Sequence, residues 1–233
     1  FLAAYGIVVL ALATLLIRET LPPERRTVAG HATTLQRYRA LFGDRIFVGV
    51  TLVATLNFAA MFAYLSATPF LFQDVYGLGP QGYALLFAIN AIGVGAGVQI
   101  SSALARRVGP QWILVWAGML QLASSVMILV LAVVDGGFLA VALPLWFFVL
   151  ATGLIFPCVQ VLALVGHGTE AATAASLQGA AGFVAAGILA PVLAAFPAPN
   201  AAPMATAMII VEVAGMLALW LVVRPRTVPP LDS

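Results

Sequence analysis

Long apolar runs alternate with short polar breaks along the whole chain. The runs cover Phe1–Ile17, Ile46–Phe72, Gln81–Ala105, Gln111–Val134, Phe138–Val165, Ala171–Phe196 and Met204–Val223. At about 1.5 Å of rise per helical residue, a run of this kind matches the roughly 30 Å hydrocarbon core of a bilayer. The breaks carry Gly/Pro turn chemistry: "YGLGP" (Tyr76–Pro80), "VGPQ" (Val108–Gln111), "DGG" (Asp135–Gly137), "GHG" (Gly166–Gly168) and "PAPN" (Pro197–Asn200). The runs are continuously apolar and do not alternate at period two, which excludes a transmembrane β-barrel. The pattern predicts an all-α, polytopic membrane helix bundle of about seven spans. The first span is expected to be partial, because Phe1 opens the chain in mid-run and the remainder of a larger protein is expected upstream.

This pattern divides the chain into a partial transmembrane helix at 1–17, a cytoplasmic linker at 18–45, a bundle of about six transmembrane helices at 46–223 and a cytoplasmic tail at 224–233. The linker opens with the charged, proline-rich "RETLPPERR" and continues with "TTLQRYRALFGD". In the second stretch Leu35, Tyr38, Leu41 and Phe42 are expected to share one helical face, with Arg37 and Arg39 elsewhere. That is the pattern of a short amphipathic helix lying on the inner membrane surface.

Composition sharpens the class. Hydrophobic residues make up 63% of the chain and charged residues 8%, with a mean hydropathy of +1.10. Soluble domains carry about 25% charged residues, so this chain cannot cover a water-facing surface. The net charge of +2 is too small and too dispersed for nucleic-acid binding. Cys158 is the single cysteine, which rules out an intrachain disulfide framework and a multi-cysteine metal site. His31 and His167 stand alone in breaks, so neither a metal nor a cofactor is expected. No Ser/His, Asp/Asp or His/Glu constellation lies at membrane depth, which argues against an intramembrane enzyme.

Charge also orients the chain. Lysine is absent from the sequence. Arg18, Arg25, Arg26, Arg37, Arg39 and Arg45 follow the first run, Arg106 and Arg107 the third, and Arg224 and Arg226 the seventh. All fall on one side of the membrane, which the positive-inside bias makes cytoplasmic. The C-terminal tail is therefore expected inside.

Several stretches resemble a known family. They are "RETL" (Arg18–Leu21), "FAYLSATPFLFQDVYGLGPQGYALLFAINAIG" (Phe62–Gly93), "ARRVGP" (Ala105–Pro110), "GLIFP" (Gly153–Pro157) and "TEAATAASLQGAAGF" (Thr169–Phe183). Together they resemble the C-terminal half of a major facilitator superfamily transporter, and within it the Bcr/CflA-type drug-resistance branch of the drug:proton antiporters. The resemblance implies that Phe1–Ile17 ends helix six, that helices seven to twelve follow, and that the first five are absent. It implies a fragment of a proton-driven multidrug efflux transporter working by alternating access. The setting would be the bacterial inner membrane, with a small lipophilic substrate, protons, the lipid bilayer and the N-terminal bundle of the same protein as partners. In such transporters the coupling carboxylate usually lies in the N-terminal half. A different class, a half-size or non-transporting membrane scaffold that dimerises, is the alternative.

Polar side chains inside spans are costly in lipid and usually turn toward protein or water. Asn57, Asn90, Gln99, Gln121, Gln160 and Gln178 each read as an interhelical hydrogen bond or as cavity lining. Lining is expected for Asn57, Asn90 and Gln178, whose helices face the central cavity by resemblance. Phe58, Phe62, Tyr64, Phe87 and Phe156 are expected to join them, since apolar pockets with a few polar groups suit lipophilic drugs and rings attract cations. Phe148 and Phe183 belong to the same set of aromatics. By resemblance Arg106 and Arg107 mark a conformational loop. Gly93, Gly97 and Ser101 are expected to let a second helix approach closely. Glu212, in the middle of the last span, reads either as a proton site or as an uncharged side chain bonded to a neighbouring helix. In both readings it is expected to face other helices and not lipid.

Overall fold

The computed structural model describes residues 2–16, 34–134, 136–164, 171–194 and 200–228. Most of the 18–45 linker, its arginines up to Arg26, His31, Asp135, His167, Glu170 and the tail beyond Val228 lie outside the described residues. The described helices are α1 (Leu2–Leu16), α2 (Thr34–Gly43), α3 (Arg45–Pro69), α4 (Pro80–Val108), α5 (Pro110–Val133), α6 (Gly137–Leu164), α7 (Ala171–Ala194) and α8 (Ala202–Ala218). The chain forms two compact units, 1–37 and 38–233. The first contains α1, a continuous apolar helix of 15 residues. The second contains the helical bundle. Among the described residues, 6 helices are long and apolar enough to cross a membrane.

Local chemistry sets the helix ends. Asp44 caps α3, its carboxylate accepting from the Ile46 backbone N–H at 2.8 Å. Pro80 and Pro110 occupy the first turns of α4 and α5, where a missing N–H costs nothing. At Pro69 the α-helical ladder of α3 gives way to wider π-helical turns over Phe70–Val75, so the span runs past the expected Phe72. A second π segment, Leu219–Val223, ends α8 before Arg224 turns the chain with φ 53°. The shared apolar face expected on α2 divides. Leu41 is fully buried, whereas Phe42 is exposed. Consecutive helical residues point about 100° apart, and the turn at Asp44 draws Leu41 under the bundle.

Two apolar clusters stack along the bundle. One gathers Phe47, Val50 and Val53 from the start of α3, Ile113 and Leu114 from the start of α5, Leu162 from the end of α6 and Val223 from the end of the last span. The other gathers Phe72, Ile128, Val141, Leu145 and Met204, from the opposite ends of the same spans. Successive spans therefore run in alternating directions. Arg45, Arg106, Arg107, Arg224 and Arg226 all come to the first end. There Arg45 Nη2 donates to Thr227 Oγ1 at 2.9 Å, joining the start of α3 to the end of the chain's last span.

Close packing of α4 on α6 depends on small residues. A Cβ on Gly97 would run into the carbonyl oxygen of Leu150, and one on Gly153 into that of Val94. One turn on, Ser101 Oγ donates to the Leu154 carbonyl at 2.8 Å and lies 3.2 Å from Cys158 Sγ. One turn back, Gly93 meets the indole of Trp146, whose N–H donates to Ile89 O at 3.2 Å. The Gly93–Gly97–Ser101 stripe is thus the face α4 presents to α6.

Candidate functional site

Between the two apolar clusters lies a belt of buried polar side chains. Asn57 comes from α3, Gln121, Ser124 and Ser125 from α5, Thr152 from α6 and Glu212 from α8. Gln121 Nε2 donates to Asn57 Oδ1 and to Thr152 Oγ1, each at 2.8 Å. Thr152 in turn donates to the Phe148 carbonyl one turn earlier. One amide thereby ties α3, α5 and α6 at a single depth. Ser125 Oγ donates to Glu212 Oε1 at 2.8 Å, while Glu212 Oε2 is buried without a partner. Glu212 is 6% exposed and faces its neighbouring helices, not the outer surface.

At the same depth α3, α6 and α7 line a half-open cavity of about 240 Å³. Its wall includes Asn57, Phe58, Phe156, Gln160, Gln178 and Phe183. Phe58 and Phe183 stand on this wall 5.2 Å apart, and Phe62, expected to line it but set outside the lining, packs 4.9 Å from Phe58 and 6.3 Å from Phe183, centroid to centroid. The ring of Phe58 reaches α7 because Gly182 has no side chain to block it. Gln178 brings an amide to the α7 side of this wall, and its Nε2 is buried and unpartnered. Such a site holds a ring-bearing apolar guest by contact and orients it with a few amides.

The other expected lining residues lie elsewhere. Tyr64 and Asn90 are both buried and bond to each other, with Asn90 Nδ2 donating to the Tyr64 hydroxyl at 3.1 Å. They seal α3 against α4 near Thr68 and Tyr83, whose hydroxyls are 3.3 Å apart. Phe87 stands partly exposed on α4, 6.3 Å from Tyr83. Arg106 and Arg107 are exposed in the last turn of α4. Positive charge there complements the helix dipole. The sequence names Glu212 but not its partner Ser125, and places Gln160 and Phe183 among candidates without assigning them to the cavity. The spacing "QGAAGF" (Gln178–Phe183) is the signal that was available: two glycines on α7 open room beside an amide and a ring. Among the described residues no cluster of His, Cys, Asp and Glu is arranged to hold a metal ion.

The fold defines a polytopic membrane helix bundle with small-residue helix crossings, and sequence comparison makes the family explicit. The family model of the Major Facilitator Superfamily matches residues 1–191, and the chain belongs to that superfamily. The "Uncharacterized MFS-type transporter YdgK" of Bacillus subtilis is 27% identical over 221 residues, covering 95% of this chain and 55% of that protein. The "Bicyclomycin resistance protein homolog" of Haemophilus influenzae is 25% identical over 199 residues, covering 85% of this chain and 50% of that protein. The chain thus spans about half the length of the curated relatives it matches. No solved structure gives a significant match.

Proposed function

We propose that this chain forms one bundle of a proton-driven multidrug efflux transporter of the Bcr/CflA type. It exports lipophilic, ring-bearing drugs by alternating access against an N-terminal bundle of the same protein. The observation that carries this reading is the cavity between α3, α6 and α7: a wall of phenylalanine rings interrupted by Asn57, Gln160 and Gln178. Rings hold flat apolar molecules and attract lipophilic cations, and the amides orient them without fixing one substrate. The bicyclomycin resistance named in the Haemophilus influenzae relative supports drug export as the activity. Asn57, Phe58, Phe156 and Gln178 would touch the drug, with Phe62 backing Phe58. The Tyr64–Asn90 pair, with Phe87 beside it, would position α3 on α4. Apolar residues such as Leu85 and Ile92 on α4 and Val184 and Ile188 on α7 are exposed, and these faces suit the second bundle and lipid.

In this reading the protein sits in the bacterial inner membrane with its arginine end, Arg106 and Arg107 included, in the cytoplasm. Arg106 and Arg107 then mark the loop that shifts between the two states. The test is efflux of ethidium, a flat lipophilic cation, from energised cells expressing the gene's complete product. Expected are lower ethidium accumulation than in cells lacking the gene, abolition of the difference by a protonophore, and its reduction by Phe58→Ala. Equal accumulation with and without the protein would overturn the proposal. Efflux that persists after the proton gradient is collapsed would overturn the proton-driven part alone.

A further inference from the structure

We propose that Glu212, held by Ser125, is a proton-binding site connected to the drug cavity by a hydrated polar strip built from Gln121 and Asn57. Three observations meet here. Glu212 Oε2 is buried without a hydrogen-bond partner. Glu212 lines a void of about 30 Å³ together with Asn57, Gln121, Gly118 and Gly215. A water needs only about 10–15 Å³ of such space together with two or more polar partners, and the void supplies both. Asn57 borders this void and the larger cavity alike. Its oxygen accepts from Gln121.

The groups facing Glu212 are Asn57 from α3, Gln121 and Ser125 from α5 and Ile155 from α6. None of them titrates, and α7 contains no titratable residue. A proton arriving on cavity water passes through water in the void to the Glu212 carboxylate. A carboxylate becomes a carboxylic acid, the water is regenerated, and no electron changes hands. When a cationic drug occupies the cavity the same route runs backwards. The proton leaves, and the carboxylate balances the charge of the drug across a poorly screened interior. Binding of the drug and release of the proton are then linked, each weakening the other. This linkage rests on the drug-cavity reading. The proton site itself does not.

Two measurements on the purified full-length chain in detergent separate these claims. The first is infrared difference spectroscopy of carboxyl groups on transfer to D₂O. Expected is a carboxylic C=O band that exchanges promptly, disappears in Glu212→Gln, and exchanges at least ~10-fold more slowly in Gly215→Ala, whose methyl group takes up the space a water needs. Gly215 tolerates that methyl, since the nearest atom outside its own helix, Leu56 Cβ, is 3.7 Å from the new carbon. No band assignable to Glu212, or one that exchanges equally fast in Gly215→Ala, would sink the hydrated route. The second is proton release on binding tetraphenylphosphonium in weakly buffered solution. Expected is release of about one proton per probe bound, and none in Glu212→Gln, which still binds. Binding without release overturns the linkage. Failure of the probe to bind at all overturns the drug-cavity reading, and the exchange measurement still decides the proton site.

Discussion

At Gln121 one amide nitrogen serves two acceptors on two other helices. A single interhelical hydrogen bond inside a membrane protein is worth only about 0.6 kcal/mol, but burying an acceptor stripped of its donor costs about 1–3 kcal/mol. Gln121→Leu strips two acceptors at once, so the second effect is expected to win, lowering stability by about 1–2 kcal/mol. Denaturant titration in mixed micelles measures it, and a loss within error of zero would show that the belt is already wetted. At Phe183 the expectation concerns binding. Removing the ring with Phe183→Ala should weaken tetraphenylphosphonium binding by about 3- to 10-fold, the size of a partly solvated cation–π contact, read by equilibrium dialysis. Phe183→Trp should restore it. Residue types at this depth were legible in the sequence, but neighbours were not. Asn57 and Tyr64 are seven residues apart and lie on one stripe of α3. Asn57 meets α5 and the cavity, whereas Tyr64, two turns on, meets Asn90 of α4. A stripe reports which way a helix faces, and only the tilt of its partners reports what stands opposite at each height.

The crossing of α4 on α6 works at the scale of the element. Helices with lipid on their outer faces gain little from apolar burial against each other, so they associate by close contact and by hydrogen bonds. Gly97 and Gly153 bring two backbones together, each glycine lying against a carbonyl of the other helix. A side chain at Gly97 must therefore push backbone apart, and overpacking of this kind costs about 1–3 kcal/mol or more. Gly97→Val is expected to lower the thermal midpoint of the purified protein sharply. Gly95→Val, two residues away with nothing within 4 Å of its Cβ, should leave the midpoint almost unchanged. Equal effects at both sites would mean that helix propensity and not the crossing is at stake. The spans themselves were readable within a few residues, because a long apolar run needs no tertiary partner to be recognised. Their ends were less so. The π-helical extensions at Phe70–Val75 and Leu219–Val223 carry helix beyond or up to the polar break, and hydropathy is blind to which hydrogen-bonding pattern a helix uses.

For the molecule as a whole, the alternation of spans places its polar ends. The Arg45–Thr227 hydrogen bond joins the start of α3 to the end of the last span, and both belong to the end that carries Arg106 and Arg107. Asp74 and Gln81, exposed on either side of the α3–α4 turn, stand at the other end. Arginine held on one side is the signature of cytoplasmic loops, because translocating it during insertion is unfavourable. Cys158 is buried, so a Cys158→Ala background gives a silent starting point for labelling. In that background Asp74→Cys and Gln81→Cys are expected to react with a membrane-impermeant maleimide in intact cells. Arg107→Cys and Arg226→Cys should react only after the membrane is opened. If all four exchange behaviour, the bundle stands and only its orientation is inverted. If Arg107→Cys and Arg226→Cys react from opposite sides, the alternation of spans fails, and with it the common depth that brings Asn57, Gln121 and Glu212 into one belt.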